Sequence, residues 1–362
     1  MQELLPPNVN IHKLVDNLAF AVKMTWLPDG RLLITEKTSG VVRLIESTFK
    51  VVEQPVVDLA VNSLKERGLL GITAHPDFEQ NKYVYIYYVA PASPHDSTDR
   101  EDVSGIHIAR FRLSGIVADA PPQTIIALPY HPGPYHIGGC ILFGPDRKLY
   151  VSVGELNHNA NLYSQLKHSP RGKLLRYNDD GTIPPDNPFG PDSAVFVYGV
   201  RNVFGFAFDN IGSGLFISDN GPKGHDELSK GFAGENLGWP LIWGIADTWY
   251  ERIALRFLGE RYRSPFWETF EGHAAPTAVQ VIPNDLYGPQ MRGRILMSEF
   301  VRGQVRQFSL DETIRSHPVG TGMFVEDVAG VVDLQFGPDG KLYILTINAL
   351  YRVDPVSNTS GH

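Results

Sequence analysis

Cysteine is nearly absent from this chain of 362 residues, which has only Cys140. A single cysteine excludes an intrachain disulfide and any metal site that needs a CxxC pair. Its apolar neighbours, in GGCILF, predict a buried thiol with a packing role. The histidines form neither an HExxH motif nor a similar ligand pattern, so the sequence argues against a zinc site.

Runs of positive charge and long apolar runs are missing too. The net charge is -8 and the isoelectric point is near 5.8, which favours neither a nucleic acid nor an anionic membrane as a partner. No apolar run reaches the ~20 residues that a membrane helix needs. We therefore expect a small-molecule substrate, no nucleic-acid or membrane partner, and a monomer or a homodimer.

The start of the chain, MQELLPPNVN, contains neither the basic segment nor the apolar segment of a secretory signal. Two compartments are consistent with this start. Either the protein is cytoplasmic, or it is periplasmic or secreted and its signal has been removed. The sequence leaves both interpretations open.

The chain is organised around residues 135–155, YHIGGCILFGPDRKLYVSVGE. Gly144, Pro145 and Asp146 lie between two apolar alternating runs, ILF and LYVSV. Proline fixes φ for a turn and the aspartate side chain caps it, so this stretch predicts a β-hairpin.

The same pattern occurs six times, at periods of roughly 50 to 75 residues. The sequence therefore predicts an all-β fold, a six-bladed β-propeller spanning residues 1–362 as one domain, with loop insertions on its top face. Ring closure predicts that IHKLVDNLAF and LYRVD, before the first and after the last unit, share one blade. Only residues 248–258, TWYERIALRFL, have helical periodicity, and we expect them in a top-face insertion. The other five units are FAVKMTWLPDGRLLITE, GLLGITAHPDFEQNKYVYIYY, GFAFDNIGSGLFISD, AVQVIPNDLYGPQMRGRILMSE and DLQFGPDGKLYILT.

Four loops beside successive units carry polar residues that are candidates for chemistry. Their residues are Glu66, then His136, then Arg201 with Asn202, and finally residues 219–227, DNGPKGHDE. The strands of a propeller are used for packing and its loops gather round one central opening, so we expect all four loops at one face of the ring.

Each candidate also has a plain structural interpretation. His136 is either a loop histidine bonded to backbone or a general base, because imidazole accepts a proton near neutral pH. Arg201, taken alone, reads more simply as a solvated or paired arginine. The DNGPKGHDE loop is either an exposed turn or a calcium site, in which carbonyl oxygens turn inward and Asp226 and Glu227 supply carboxylates.

Taken together, the motifs resemble those of the soluble quinoprotein glucose and aldose sugar dehydrogenases. Those proteins use pyrroloquinoline quinone (PQQ) on a six-bladed propeller. The resemblance covers nearly the whole chain and is strongest over residues 66–240. It rests on the order and spacing of ERGLLGITAHPDF, YHIGGCILFGPDRKLYVSVGE, GKLLRYNDDGTIPPDNPF, VYGVRNVFGFAFD, LFISDNGPKGHDEL and GENLGWP.

The resemblance implies catalytic and substrate-binding roles. His136 matches the base that takes the hydroxyl proton while hydride passes from the sugar carbon to the quinone. Glu66 matches a glutamine beside the substrate, and Tyr135 and Glu155, at the ends of the central stretch, are expected near the substrate as well. Arg201 is expected to stabilise negative charge that develops on the quinone oxygens.

The resemblance also implies cofactor and metal sites. Arg201 and Asn202 match the pair that binds the quinone carbonyl region. The carbonyl groups of Gly221 and Pro222 match the ligands of a calcium ion that holds the cofactor, and Asp226 is our further candidate there. Glu227 and the backbone near Leu237 match a second, structural calcium site.

The last two units depart from the family pattern. The family commonly enters the last unit with R-x-R-D, whose arginines bind the carboxylates of PQQ, and this chain has GVVD at residues 330–333. A basic residue expected in the fifth unit falls on Val301 or, with a shift of one residue, on Arg302. Each charge-assisted hydrogen bond that is lost costs about 1.5 to 3 kcal/mol.

Two hypotheses of different class follow. The first is a PQQ-dependent dehydrogenase of a sugar or another alcohol, in which Arg201, Arg302 and calcium hold the cofactor. The second is a relative without the quinone that uses the funnel as an isomerase, cyclase or hydrolase with His136 as base, or as a ligand-binding module. Weak or absent PQQ binding would favour the second.

Overall fold

The turn at residues 27–31 joins two strands of buried residues in the way the sequence predicts. The N–H of Gly30 donates to the carbonyl oxygen of Leu27 at 3.0 Å, and Oδ1 of Asp29 accepts the N–H of Arg31 at 3.1 Å. Gly30 has a φ of +83°, a left-handed conformation that glycine adopts without steric cost. Equivalent turns lie at residues 144–148 and 337–341.

A computed structural model describes residues 1–129, 131, 133–157, 162–269, 272–311, 315 and 317–356. Six sheets in this part of the chain form a ring, which confirms the predicted all-β, six-bladed propeller. Two strands precede the first blade, β1 (Gln2–Glu3) and β2 (Val9–Val15).

The first three blades follow one another along the chain. Blade 1 consists of β3 (Ala21–Trp26), β4 (Leu32–Glu36), β5 (Val41–Ile45) and β6 (Val57–Asp58). Blade 2 consists of β7 (Leu69–Ala74), β8 (Tyr83–Ala90), β9 (Gly105–Ser114), β10 (Val117–Ala118) and β11 (Gln123–Leu128). Blade 3 consists of β12 (Gly138–Phe143), β13 (Leu149–Val153), β14 (Lys173–Tyr177) and β15 (Val195–Tyr198).

The last three blades complete the ring. Blade 4 consists of β16 (Gly205–Phe208), β17 (Leu215–Asp219), β18 (Glu227–Gly231) and β19 (Trp267–Glu268). Blade 5 consists of β20 (Pro276–Val281), β21 (Ile295–Glu299), β22 (Gln304–Leu310) and β23 (Pro318–Val325), with β1 added in parallel to β23. Blade 6 consists of β24 (Val331–Phe336), β25 (Leu342–Thr346), β26 (Leu350–Pro355) and β2.

The two ends of the chain close the ring in blade 6. Strand β2 pairs antiparallel with β26, so that Val9 lies opposite Pro355 and Val15 opposite Leu350. The prediction that IHKLVDNLAF and LYRVD share one blade is confirmed. First strands of neighbouring blades contact each other at most of the boundaries between blades, and β24 of blade 6 contacts β3 of blade 1. These first strands therefore surround the ring axis.

The apolar core is divided among the interfaces between neighbouring blades. Six clusters of buried side chains each combine residues of two adjacent blades, and the last cluster joins blade 6 to blade 1 through Val332, Tyr343 and Met24. Cys140 is buried between blades 3 and 4, where burial raises the pKa of its thiol to about 11. Each fully buried aliphatic side chain contributes about 1.5 to 3 kcal/mol.

Helical structure is short in the described residues. The α-helices are α1 (Phe78–Asn81) and α2 (Trp249–Leu258), and three 3₁₀ turns span Leu162–Gln165, Gly259–Arg261 and Pro289–Met291. Thr248 and Glu251 form a capping box that begins α2, which confirms the helix predicted at residues 248–258. Neither helix has the length and apolar character needed to cross a membrane.

Candidate active site

One cavity of about 680 Å³ collects residues from all six blades. They precede or begin the first strands, or they follow the second strands. The four loops that the sequence singled out meet here, because the cavity wall includes Glu66, His136, Arg201, Asn202, Gly221, Pro222 and Asp226.

The backbone of His136 is held by groups on both sides. Its N–H donates to Oε2 of Glu66 at 2.7 Å, and its carbonyl oxygen accepts the N–H of Leu156 at 3.1 Å. His136 has a φ of +60°, a conformation that is costly for a side chain of this size unless its surroundings hold it. A Cβ atom at Gly154 would lie 2.0 Å from the carbonyl oxygen of His136, so only glycine fits beneath the histidine.

Glu155 fixes the tautomer of His136 from behind. Its Oε1 lies 2.5 Å from Nδ1 of the imidazole, and its side chain is 2% exposed. A carboxylate accepts hydrogen bonds only, so Nδ1 carries the proton and Nε2 presents a lone pair. In this arrangement Nε2 is able to accept a proton.

Arg201 lies in front of the imidazole. Its Nη2 donates to Nε2 of His136 at 2.9 Å, and its Nη1 donates to the carbonyl oxygen of Asn220 at 2.6 Å. The guanidinium also lies 5.4 Å from the ring centre of Trp239. The donors of Arg201 and the lone pair of His136 thus face the same space.

Asp219, at the end of β17, anchors the backbone of Arg201 and Asn202. Its two carboxylate oxygens accept the N–H of Arg201 at 2.8 Å and that of Asn202 at 2.6 Å. Burial raises the pKa of Asp219 to about 6. A buried carboxylate with two backbone donors holds the arginine loop in place.

Asn202 links three of the four loops. Its Nδ2 donates to Oε2 of Glu66 at 3.2 Å, and its Oδ1 accepts the N–H of Gly138 at 3.1 Å. Oε2 of Glu66 therefore receives hydrogen bonds from both His136 and Asn202. These bonds connect blades 2, 3 and 4 around the imidazole.

The predicted calcium loop offers fewer free oxygen ligands for a metal ion than its sequence indicates. Asp226 accepts the N–H groups of Gly221, Ala274 and Ala275, so its carboxylate is already bonded to backbone. Gly221 and Pro222 line the cavity. Within the described residues, no group of three or more acidic, histidine or cysteine side chains could hold a metal ion.

Glu227 is buried beside this loop and does not line the cavity. Its Oε1 accepts the N–H of Gly244 at 2.7 Å. Burial raises its pKa well above the ordinary value, and the nearby carboxylates of Asp219 and Glu268 raise it further. Leu237, expected near the same calcium ion, is a buried core residue whose N–H donates to the carbonyl oxygen of Tyr198.

Three residues predicted to contact the substrate or the cofactor lie outside the cavity wall. Tyr135 is 40% exposed and lies outside the cavity wall, and Glu155 lies behind His136, where it orients the imidazole. Nη1 of Arg302 lies 3.2 Å from Oε2 of Glu299, and the wall at this point is formed by the neighbouring residues 300 and 301. Strand β21 ends at Glu299, and the N–H of Gly303 donates to the carbonyl oxygen of Glu299, so this turn brings Arg302 next to the carboxylate.

The wall of the last blade is apolar where the family resemblance predicts arginine. Val332 lines the cavity, and Gly330 has a φ of +73°, which disfavours any larger residue at that position. Lys23 lies beside Val332 in this wall, and its Nζ lies 3.1 Å from Oδ1 of Asp333, so this lysine is paired within the protein.

Sequence reasoning missed the lysines of the cavity. Lys37 follows the second strand of blade 1, and Lys65 precedes the first strand of blade 2. Both resembled ordinary polar turn residues. The position of Lys37 in the repeat could have identified it. Residues 154–155 and 220–221 also follow the second strand of a blade, and they lie at this site.

Comparison with known proteins agrees with this geometry. The model of the family described as Glucose / Sorbosone dehydrogenase matches residues 18–352. The chain belongs to the glucose/sorbosone dehydrogenase family. This membership supports an oxidoreductase of the sugar dehydrogenase type.

Individual relatives of the glucose/sorbosone dehydrogenase family cover most of the chain. Aldose sugar dehydrogenase YliI of Escherichia coli is 26% identical over 97% of this chain and 94% of its own. Quinoprotein glucose dehydrogenase B of Acinetobacter calcoaceticus is 31% identical over 65% of this chain and 53% of its own. The structure of a PQQ-bound aldose sugar dehydrogenase from Streptomyces coelicolor has a TM-score of 0.78 at 25% identity, covering 97% of this chain and 99% of that one.

Proposed function

We propose that this protein oxidises a hydroxyl group of an aldose or a similar alcohol, with His136 as the general base. The observation that carries this proposal is the chain of contacts from Glu155 through His136 to Arg201. Glu155 keeps the proton on Nδ1, and Nε2 is left to take a proton from a hydroxyl group in the cavity.

Arg201 supplies the electrostatic part of the reaction. In the structure its Nη2 donates to Nε2 of His136, so a substrate hydroxyl must replace this donor before the proton moves. The guanidinium then points its donors at negative charge that develops beside the imidazole, and it stays anchored through the carbonyl oxygen of Asn220.

The residues present fit PQQ in part. The cavity is large enough for a small aromatic cofactor, and Arg201 and Asn202 offer donors on one wall, while Val332 offers none on another. When bound, PQQ supplies a quinone that accepts a hydride. Arg201, Asn202 and the lysines of the first two blades would hold it, with Arg302 turned away.

In this proposal, calcium binds only together with the small molecule in the cavity. Gly221 and Pro222 line the cavity, and within the described residues the carbonyl oxygen of Gly221 accepts a hydrogen bond from Nη1 of Arg201 and that of Pro222 accepts one from the N–H of His225. Calcium takes six to eight oxygen ligands. Two carbonyl groups are too few, so we propose that oxygens of the bound ligand and water complete the shell.

Reconstitution tests the proposed function. Protein is mixed with PQQ and calcium, the quinone absorbance of the protein fraction is recorded, and reduction of a dye is followed with a panel of aldoses. We expect reduction that needs both PQQ and an aldose. If the protein shows a thermal melting transition and is therefore folded, the absence of both bound quinone and dye reduction would contradict a PQQ-dependent dehydrogenase.

A second candidate function follows from the apolar last wall. A relative without the quinone would use the Glu155–His136 pair as the base of an isomerase, cyclase or hydrolase, or the cavity as a ligand-binding module. Val332 and the absence of an arginine at residue 330 favour this alternative. Conversion of an aldose without PQQ, lost on replacing His136, would support it over the dehydrogenase.

A further inference from the structure

The charges of the cavity wall differ from those of the whole chain. The chain has a net charge of -8, whereas the wall contains five cationic side chains and two carboxylates. Both carboxylates, Glu66 and Asp226, already accept backbone N–H groups. A cavity of this kind attracts anions.

Three of the cationic side chains are accounted for by the protein itself. Lys23 pairs with Asp333, and Arg201 donates to His136 and to the carbonyl oxygen of Asn220. Lys223 is exposed, and its Nζ lies 5.9 Å from the ring centre of Trp243. Lys37 and Lys65 remain.

Lys37 is buried and poorly satisfied. The residue is 6% exposed. Within the described part of the chain, its ammonium nevertheless makes one hydrogen bond, of 3.4 Å, to the carbonyl oxygen of Ser63. It forms no ion pair with a described residue, and the ring centre of Phe20 lies 5.1 Å away. An ammonium has three N–H donors, so a buried ammonium with one weak acceptor is costly unless a ligand supplies others.

The backbone holds Lys37 in place. Its N–H donates to the carbonyl oxygen of Phe20 at 2.9 Å, and its own carbonyl oxygen accepts the N–H of Leu69 at 3.0 Å. A Cβ atom at Gly68 would lie 2.3 Å from that carbonyl oxygen, so glycine is required there. The backbone position of the lysine is therefore set before a ligand binds, which reduces what must be ordered on binding.

We propose that Lys37, with Lys65 as a second and exposed cation of the same wall, forms a subsite for a carboxylate group on the small molecule that binds in this cavity. The inference deepens the proposed function, on which it rests for the cavity as ligand site. The carboxylate comes from one of two sources, a sugar acid as substrate or the quinone cofactor. The subsite lies on the walls of blades 1 and 2, and the apolar wall of blade 6 adjoins blade 1 on the other side.

Binding measurements without turnover test the subsite. Calorimetry compares D-glucuronate with D-glucose, and PQQ with its trimethyl ester, on the wild type and on Lys37→Met. We expect at least one charged ligand to bind about ten- to a hundredfold more tightly than its neutral counterpart, and Lys37→Met to abolish the difference. Lys37→Arg should restore most of it, because it returns a cation to the same wall.

The two sources give different results. A preference for glucuronate that needs Lys37 identifies a sugar acid, and a preference for PQQ over its ester that needs Lys37 identifies the cofactor. The control Lys50→Met removes an exposed lysine outside the cavity and should leave every affinity unchanged. Equal affinities for charged and neutral ligands in the wild type, or a preference that survives in Lys37→Met, would overturn the proposal.

The outcome is separable from that of the proposed function. If the wild type reduces the dye but binds charged and neutral ligands equally well, the subsite alone is refuted. A charge preference that needs Lys37, in a protein that never reduces the dye, would refute the dehydrogenase alone. If Lys37→Met fails to fold, Lys37→Arg is compared with Lys37→Gln, and only the arginine variant should keep the preference for the charged ligand.

Discussion

Oε1 of Glu155 lies 2.5 Å from Nδ1 of His136, on the side of the imidazole that faces away from the cavity. The glutamate follows the second strand of blade 3 and the histidine precedes the first, so one hairpin supplies both members of the pair. This contact decides which nitrogen of the histidine carries the proton, and several predictions depend on it.

Replacing Glu155 by glutamine should lower turnover about 10- to 100-fold, because the amide can donate to Nδ1 and so loses control of the tautomer. The change should appear in kcat more than in KM. Glu79→Gln, on the exposed face of α1, is the matched control and should leave both unchanged. Wild-type kcat in Glu155→Gln would remove this carboxylate from the mechanism.

Replacing His136 itself should cost more. Asparagine is the better substitute, because it tolerates the φ of +60° that this position requires. We expect turnover to fall about a hundredfold or more, as for the loss of a general base, with an unchanged melting temperature. His107→Asn, on strand β9, serves as the control, and retained activity in His136→Asn would exclude the histidine as base.

An arginine in place of Val332 should strengthen PQQ binding. Val332 lies on the apolar wall, and one recovered contact to a carboxylate is worth about 1.5 to 3 kcal/mol, which corresponds to roughly ten- to 150-fold in Kd. Val332→Met, similar in length but uncharged, should give no gain. Tight PQQ binding by the unmodified protein would show that this wall is not needed.

Calcium should stabilise the protein only together with its ligand. We expect the melting temperature to rise when calcium and PQQ are both present, and to change little with calcium alone, because Asp226 is already bonded to backbone N–H groups. Four melting curves, with and without each component, measure this coupling. An equal rise with calcium alone would instead indicate a metal site made by the protein itself.

Carboxylate binding should depend on pH through Lys37. Burial lowers the pKa of this lysine to about 8, and the nearby charge of Glu66 partly opposes the effect. The ammonium is present below that pH and is lost above it, so affinity for a carboxylate should weaken as the pH rises from 8 to 10. Because of the lowered pKa, the folded protein releases this proton at a lower pH than the unfolded chain does. The unfolded state therefore binds more protons over that interval, and the contribution of Lys37 to stability rises with pH.

Titrations at pH 6 to 10 in wild type and Lys37→Arg separate this effect from other groups. Arginine remains charged throughout the range, so its affinity should stay constant. A parallel decline in both proteins would assign the pH dependence to another residue.

Local chemistry accounts for the parts of the structure that the sequence alone determined. Turns such as Gly144 to Asp146 and the capping box at Thr248 are made by residues close in the chain, so the hairpins and α2 could be predicted from their order. The shared blade of β2 and β26 followed from the need to pair every edge. The meeting of His136, Arg201 and the loop at residues 220–226 at one opening followed from the same ring.

Only the tertiary structure decided which polar residues face the cavity. Arg302 turns to Glu299, Glu155 lies behind His136, and Asp226 is bonded to backbone groups of the next loop. Lys37 reaches the cavity because blade 2 closes against the end of β4. Such outcomes depend on partners distant in the chain, whose distances are set by the packing of one blade on the next and by the burial of charge. Spacing along the sequence does not contain that information.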